Sequence, residues 1–88
     1  MRYCITIKGR VQGVYFRKHT AERAVELGIT GFVQNLPDGS VYCEAEGSFD
    51  NLQHFLDWCG IGSPMSDVKS VDVEMKEKTG FKVFEVRK

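Results

Sequence analysis

The chain has 88 residues, 42% of them hydrophobic and 27% charged, and its 12 basic and 12 acidic residues give a formal net charge of zero. A chain this short buries only about 60–65% of the surface its unfolded form exposes, so it holds one compact core, and residues 1–88 are expected to form a single domain. No apolar run approaches the ~20 residues of a membrane-spanning helix, and the opening MRYCITIKGR is too short and polar for a secretory signal; a cytoplasmic, monomeric protein with no membrane partner is the expectation.

The charges are unevenly placed. Arg2, Lys8, Arg10, Arg17 and Lys18 all precede the first acidic residue, Glu22, and no Lys or Arg lies between Arg23 and Lys69. A local basic zone of this kind attracts a small anion; on a neutral protein it is too short to argue for nucleic acid. Three cysteines, Cys4, Cys43 and Cys59, make an odd count without a C-x-x-C spacing, and His19 and His54 are isolated. Neither a disulfide framework nor a zinc site is expected.

In chain order, residues 2–8 alternate, with Tyr3, Ile5 and Ile7 on one face and Cys4, Thr6 and Lys8 on the other, as in a half-buried strand. After the glycine-punctuated stretch 9–13 the period changes. Phe16, Thr20, Ala24 and Leu27 recur at helical spacing, and Gly28 stands where a helix-ending glycine belongs. A second strand is predicted at 30–36, followed by the Pro37-Asp38-Gly39 turn and a third strand at 40–47. Asp50 or Ser48 can cap a second helix running to about Cys59, with Leu52, Phe55, Leu56 and Cys59 as its apolar stripe. The sequence Gly60-Ile61-Gly62-Ser63-Pro64 breaks it. Residues 68–76 alternate through Val71, Val73 and Met75, and a short last strand, 81–87, follows Thr79-Gly80.

The order β-α-β-β-α-β-β calls for an α+β fold, with two helices on one face of an antiparallel sheet. The first four strands fit the split βαβ, ferredoxin-like α/β sandwich, with a fifth strand added. In that topology the first and third strands are antiparallel neighbours. Alternation puts Cys4 on the exposed face and Cys43 on the buried one, so no Cys4–Cys43 bond is predicted.

The stretch Gly9-Arg10-Val11-Gln12-Gly13-Val14-Tyr15-Phe16-Arg17 lies between a strand and a helix. Its backbone N–H groups are free of both, and turned inward several can converge on one anion, aided by the positive end of the helix. Arg17, in the first helical turn, can fold a planar guanidinium over the loop to match two phosphate oxygens. Neither a Walker loop nor G-x-G-x-x-G fits, and a phosphatase loop of the cysteine type would need Cys at Val11. On pattern alone, a plain strand-to-helix turn with a surface arginine stands equally open. The second candidate is Gly31-Phe32-Val33-Gln34-Asn35. The first two strands run parallel, so their C-terminal ends reach the same sheet edge and bring Asn35 beside the loop. Its amide could hold a water with its oxygen and touch a phosphate with its nitrogen; on the residues alone, an Asn before a turn is more often a cap for that turn.

GRVQGVYFR followed by GFVQNLPDGSV resembles the two signatures of the acylphosphatase family, and the match extends through Leu27-Gly28-Ile29 to the closing Phe84-Glu85-Val86-Arg87. The resemblance implies hydrolysis of the carboxyl–phosphate bond of a small-molecule acyl phosphate, without metal or cofactor. It assigns phosphate binding to Arg17 and to the loop amides of Val11, Gln12, Gly13, Val14 and Tyr15, and the orientation of the attacking water to Asn35. Many members carry glycine where this chain has Tyr15. Its side chain must then point away from the anion, and a positive φ there would strain it.

Other polar groups are expected to stand aside. His19 and His54 are read as surface or packing residues and Asp38 as a turn residue. Tyr42, Glu44 and Glu46 are expected to be solvated on the uncovered sheet face, Trp58 to border the core, and Cys59 to act as a small apolar core group. The competing reading is a non-enzymatic ferredoxin-like module that binds a small anion or regulates. An RNA-reading sheet would need more aromatics than the lone Tyr42 on the central strands. A domain cut from a larger carbamoyl-transfer maturation protein is a third reading, against which the chain's own start and finish are expected to count.

Overall fold

A computed structural model describes residues 1–88. The elements run β1 (Arg2–Arg10), α1 (Phe16–Glu26), β2 (Thr30–Asn35), β3 (Val41–Glu46), α2 (Phe49–Ile61), β4 (Asp67–Lys76) and β5 (Phe84–Arg87). The five strands form one sheet in the order β4-β1-β3-β2-β5. This is the ferredoxin-like α+β fold with an added strand. The sheet is mixed rather than wholly antiparallel, because β5 runs parallel to β2, while β1–β3, β1–β4 and β2–β3 are antiparallel.

Both helices pack on one face. The core gathers alternate residues of three strands (Tyr3, Ile5, Ile7; Val33; Val41, Cys43, Ala45) with Phe16 and Ala24 of α1 and Leu52, Phe55 and Cys59 of α2. At about 25 cal/mol per Å² of apolar surface removed from water, this single layer is the main stabilising term. The helix ends follow from local chemistry. Helix α1 ends where Gly28 takes φ +66° and Ile29 N–H reaches back to the Ala24 carbonyl (2.8 Å). Of the two candidate caps for α2 the structure selects Ser48, whose Oγ accepts from Asn51 N–H (3.2 Å).

The sheet register pairs Cys4 with Glu44 and Ile5 with Cys43, so Cys4 and Cys43 point to opposite faces, and all three cysteines are free. Burial pushes the Cys59 thiol up to about 12, which suits an inert core group. The uncovered face is drier than the sequence suggests. Cys4 is 7% exposed. Glu44 lies under its neighbours, accepting from Arg2 Nη1 (2.9 Å) and from the Tyr42 hydroxyl (2.7 Å). The Arg87 guanidinium lies 3.8 Å above the Phe32 ring, a cation–π contact. Side chains here cover one another in the absence of a helix.

Glu46 departs most from expectation. It is 3% exposed, and its carboxylate accepts from the Thr79 hydroxyl and from the backbone N–H groups of Thr79, Gly80 and Phe81. Phe81, expected to begin the last strand, is drawn into this arrangement, and β5 starts only at Phe84. Burial alone would raise the Glu46 pKa; the hydrogen bonds from Thr79, Phe81 and Gly80 outweigh it and hold the group below its ordinary 4.5. Hydrogen bonding to the charged form acts in that direction. A carboxyl depressed on folding contributes stability above its unfolded pKa and loses it as pH falls through the folded value. Urea unfolding at pH 7 and pH 3 should therefore show a larger acid loss in wild type than in Glu46→Gln, which should already be less stable at pH 7.

Candidate active site

The loop between β1 and α1 is pinned by its side chains, which leaves its backbone free. Val11 and Val14 are 1% and 4% exposed and drop into the core. Gln12 Nε2 donates to the carbonyls of Leu36 and Ser40, both at 2.8 Å, bracing the loop against the β2–β3 turn. Ser63 Oγ donates to the Val14 carbonyl (2.9 Å), bracing it against the end of α2. Gly13 takes φ +74° and Tyr15 φ +59°. Backbone N–H groups of residues 11–15 donate to no protein acceptor. They lie beside the N-terminus of α1, whose helix dipole favours negative charge.

Val11, Gly13, Tyr15, Phe16, Arg17, Asn35 and Val86 line one open cleft of about 590 Å³, joined by Lys18, Ala21 and Glu22 along α1. The loop, Arg17 and Asn35 are thus brought together, as the parallel course of β1 and β2 requires. Gln12 and Val14 do not line the cleft; their side chains point behind the loop. Asn35 does not cap the turn. That work falls to Asp38, whose Oδ1 accepts from the N–H (2.9 Å) and hydroxyl (2.6 Å) of Ser40. These bonds, the hydroxyl's first, hold the Asp38 carboxyl below its ordinary value. Asn35 Oδ1 is buried without a hydrogen-bond partner in the protein, an arrangement native structures rarely leave without purpose. Arg17 Nη1 donates to the Arg87 carbonyl (2.8 Å), which fixes the guanidinium and leaves its other N–H groups for an anion. His19 faces Glu22 (3.5 Å) outside the cleft.

The sequence shows no sign of three of these parts. Gln12 counts there as an amide donor, and its side chain as a brace goes unseen. Ser63 reads only as part of a helix-breaking run. The Arg87 contribution is a main-chain carbonyl, which no side-chain pattern encodes. A polar residue with no charge partner inside a glycine loop is the one signal that could have singled out Gln12.

Tyr15 is the strained position. The residue is 70% exposed and its backbone left-handed, a conformation that costs a non-glycine residue about 1–2 kcal/mol. Tyr15→Gly relieves this at a backbone entropy cost of about 0.5–1 kcal/mol, so thermal unfolding should show stability held or raised by up to about 1.5 kcal/mol. The β-branched Tyr15→Val should lose about 1–2 kcal/mol.

With this geometry in view, comparison with known proteins is direct. Residues 3–86 match the acylphosphatase family. The chain is 49% identical over 76 residues to an acylphosphatase of Shewanella amazonensis, covering 86% of this chain and 84% of that one. It superposes on the crystal structure of acylphosphatase from Bacillus subtilis with a TM-score of 0.96 at 35% identity, covering 99% of this chain and 98% of that one. An acylphosphatase structure from Coxiella burnetii gives a TM-score of 0.95 at 35% identity, over 98% and 90% of the two chains. A cleft of free amides, a fixed guanidinium and a buried carboxamide thus sits on a fold shared nearly end to end with these enzymes, and the chain belongs to the acylphosphatase family.

Proposed function

We propose that the enzyme binds the phosphoryl group of an acyl phosphate on the amides of Val11, Gln12, Gly13, Val14 and Tyr15 and on the Arg17 guanidinium, with Asn35 orienting the attacking water. The carrying observation is that five consecutive N–H groups lack any protein acceptor on a loop whose Val11, Gly13 and Tyr15 line the cleft with Arg17 and Asn35. Such groups want an acceptor with several lone pairs, and a phosphoryl group offers three oxygens. The partner is a small-molecule acyl phosphate.

The chemistry asks little of the protein. Water adds to phosphorus as the bond from phosphorus to the bridging oxygen breaks. The carboxylate leaves with the bridging electron pair, and its conjugate acid has a pKa of about 4, so it departs without protonation. No general acid is needed. Charge on the phosphoryl oxygens is balanced by the amides and Arg17, the dominant contribution in phosphoryl transfer. The Asn35 carboxamide holds the water and so aims a lone pair at phosphorus. A water proton passes to a phosphoryl oxygen of the substrate, since no imidazole lines the cleft and Glu22, its only carboxylate, already faces His19. No metal is required in this scheme, and activity should survive EDTA.

Two substitutions separate the roles. Arg17→Ala should reduce kcat/KM for an aryl acyl phosphate by about 100-fold or more and weaken competitive inhibition by inorganic phosphate. Asn35→Ala should reduce kcat by a similar factor, about 100-fold, while leaving phosphate inhibition near wild type. Full kcat in Asn35→Ala would rule out the water-orienting role. A pH–rate profile set by a protein side chain would rule out proton transfer to the substrate.

A further inference from the structure

Strands β4 and β5 lie on opposite edges of the sheet. Residues 77–83 must therefore cross the ends of β1, β3 and β2, four interstrand spacings or about 19 Å. Eight Cα steps reach at most about 26–29 Å, so this strap crosses much of the way to full extension. It has no regular structure of its own. The register sets Lys76, Arg2, Glu46 and Thr30 in one row across that end of the sheet, and Glu46 closes the central strand.

The strap hangs on Glu46. Three successive N–H groups, of Thr79, Gly80 (3.0 Å) and Phe81 (3.0 Å), converge on its carboxylate together with the Thr79 hydroxyl, with Gly80 at φ +88° allowing the turn. Beyond this peg, Phe81 meets the Phe32 ring edge-on at 5.8 Å and the Val83 carbonyl accepts from Gly31 N–H (2.9 Å). Then β5 runs along β2 to the other end of the sheet. There the Arg87 guanidinium lies over the same Phe32 ring at 3.8 Å, and the Arg87 carbonyl holds Arg17 Nη1 at 2.8 Å.

We propose that Glu46 is a positioning residue for phosphate binding: through the 77–83 strap and β5 it sets where the Arg17 guanidinium sits. The proposal rests on the reading of Arg17 as a phosphate-binding group. Strand β5 is four residues long and pairs with β2 alone. A ladder that short on a sheet edge opens readily unless its ends are fixed. One end is fixed by the peg and the other by the Arg87 contacts. With the peg gone, β5 shifts or frays, and Arg17 loses the acceptor that holds it ready. Asn35 lies on β2 and keeps its place. The effect therefore falls on affinity for the phosphoryl group more than on turnover. The buried carboxyl is held below its ordinary pKa, so the peg is charged and engaged throughout the neutral range.

The test is the inhibition constant of inorganic phosphate, with KM and kcat for a simple aryl acyl phosphate, at a temperature where circular dichroism shows each variant folded. Glu46→Ala should raise the phosphate constant and KM about three- to ten-fold, with kcat changed by less than about two-fold. Thr79→Ala, which removes one of the bonds, and Glu46→Gln, which keeps the shape without the charge, should fall between it and wild type. Val71→Ala, a half-buried truncation on β4 away from the strap, should leave the phosphate constant unchanged and controls for lost stability. A folded Glu46→Ala with wild-type phosphate affinity overturns the proposal, as does an equal loss in Val71→Ala. Should Glu46→Ala not fold, wild-type affinity in both Glu46→Gln and Thr79→Ala overturns it. Arg17→Ala separates the two readings: unchanged phosphate inhibition there refutes the role of Arg17 itself, whereas a raised constant with silent Glu46 variants refutes only the positioning by Glu46.

Discussion

A row of main-chain N–H groups kept from every internal acceptor is the constraint on which the rest of this structure depends. Donors of this kind are costly to leave unmatched away from water, about 1–3 kcal/mol each, and a folding chain would ordinarily pair them in a strand or helix. Here the loop is denied both. Its carbonyl at Val14 is taken by Ser63, its amide side chain at Gln12 is committed to the next turn, and its two valines are sunk in the core. The backbone is left facing outward in the only direction open to it. The left-handed geometry at Tyr15 is the local strain that this arrangement carries.

The electrostatics follow from the same design. A neutral protein has no long-range pull on an anion, so the attraction must be local. On the proposed reading it comes from the N-terminus of α1 and from Arg17, which is tied in place by a backbone carbonyl. The flexible Lys18 lies on the same cleft wall without an acidic partner. Guanidinium geometry suits this division of labour, because a planar fork can spare one N–H for an anchor and still present a pair to phosphate. On the opposite sheet face charge is handled differently. Arg2, Glu44 and Tyr42 satisfy one another under partial cover, and Glu46 is held by three backbone amides and the Thr79 hydroxyl.

The fold and the site differ in how far they can be read from the chain. Alternation in β1 and the Phe16, Thr20, Ala24 spacing in α1 are set by burial on one face, so they are visible as period. The loop and Asn35 are visible because glycine placement and strand direction constrain them locally. What cannot be read depends on groups far apart in sequence. The orientation of β5 hinges on a strap whose contacts are backbone to Glu46. The burial of Glu46 itself is hidden because its position in β3 alternates with Ala45 and reads as a solvated face. The one local point misread is the turn, which the Asp38–Ser40 bonds close rather than Asn35, because either short polar side chain can accept from a turn N–H.

The bond between Arg17 and the Arg87 carbonyl joins residues 70 apart in the chain, and this has a consequence for biosynthesis. At about 5–20 residues per second, a ribosome takes roughly 4–14 s to make the acceptor after it has made the donor. A nascent chain that has already laid down the glycine loop, both helices and four strands still lacks the edge strand that steadies its guanidinium. On the proposed reading of Arg17, full anion affinity is acquired only once residue 87 has been made and β5 has formed, so ligand binding would report that this last strand is in place.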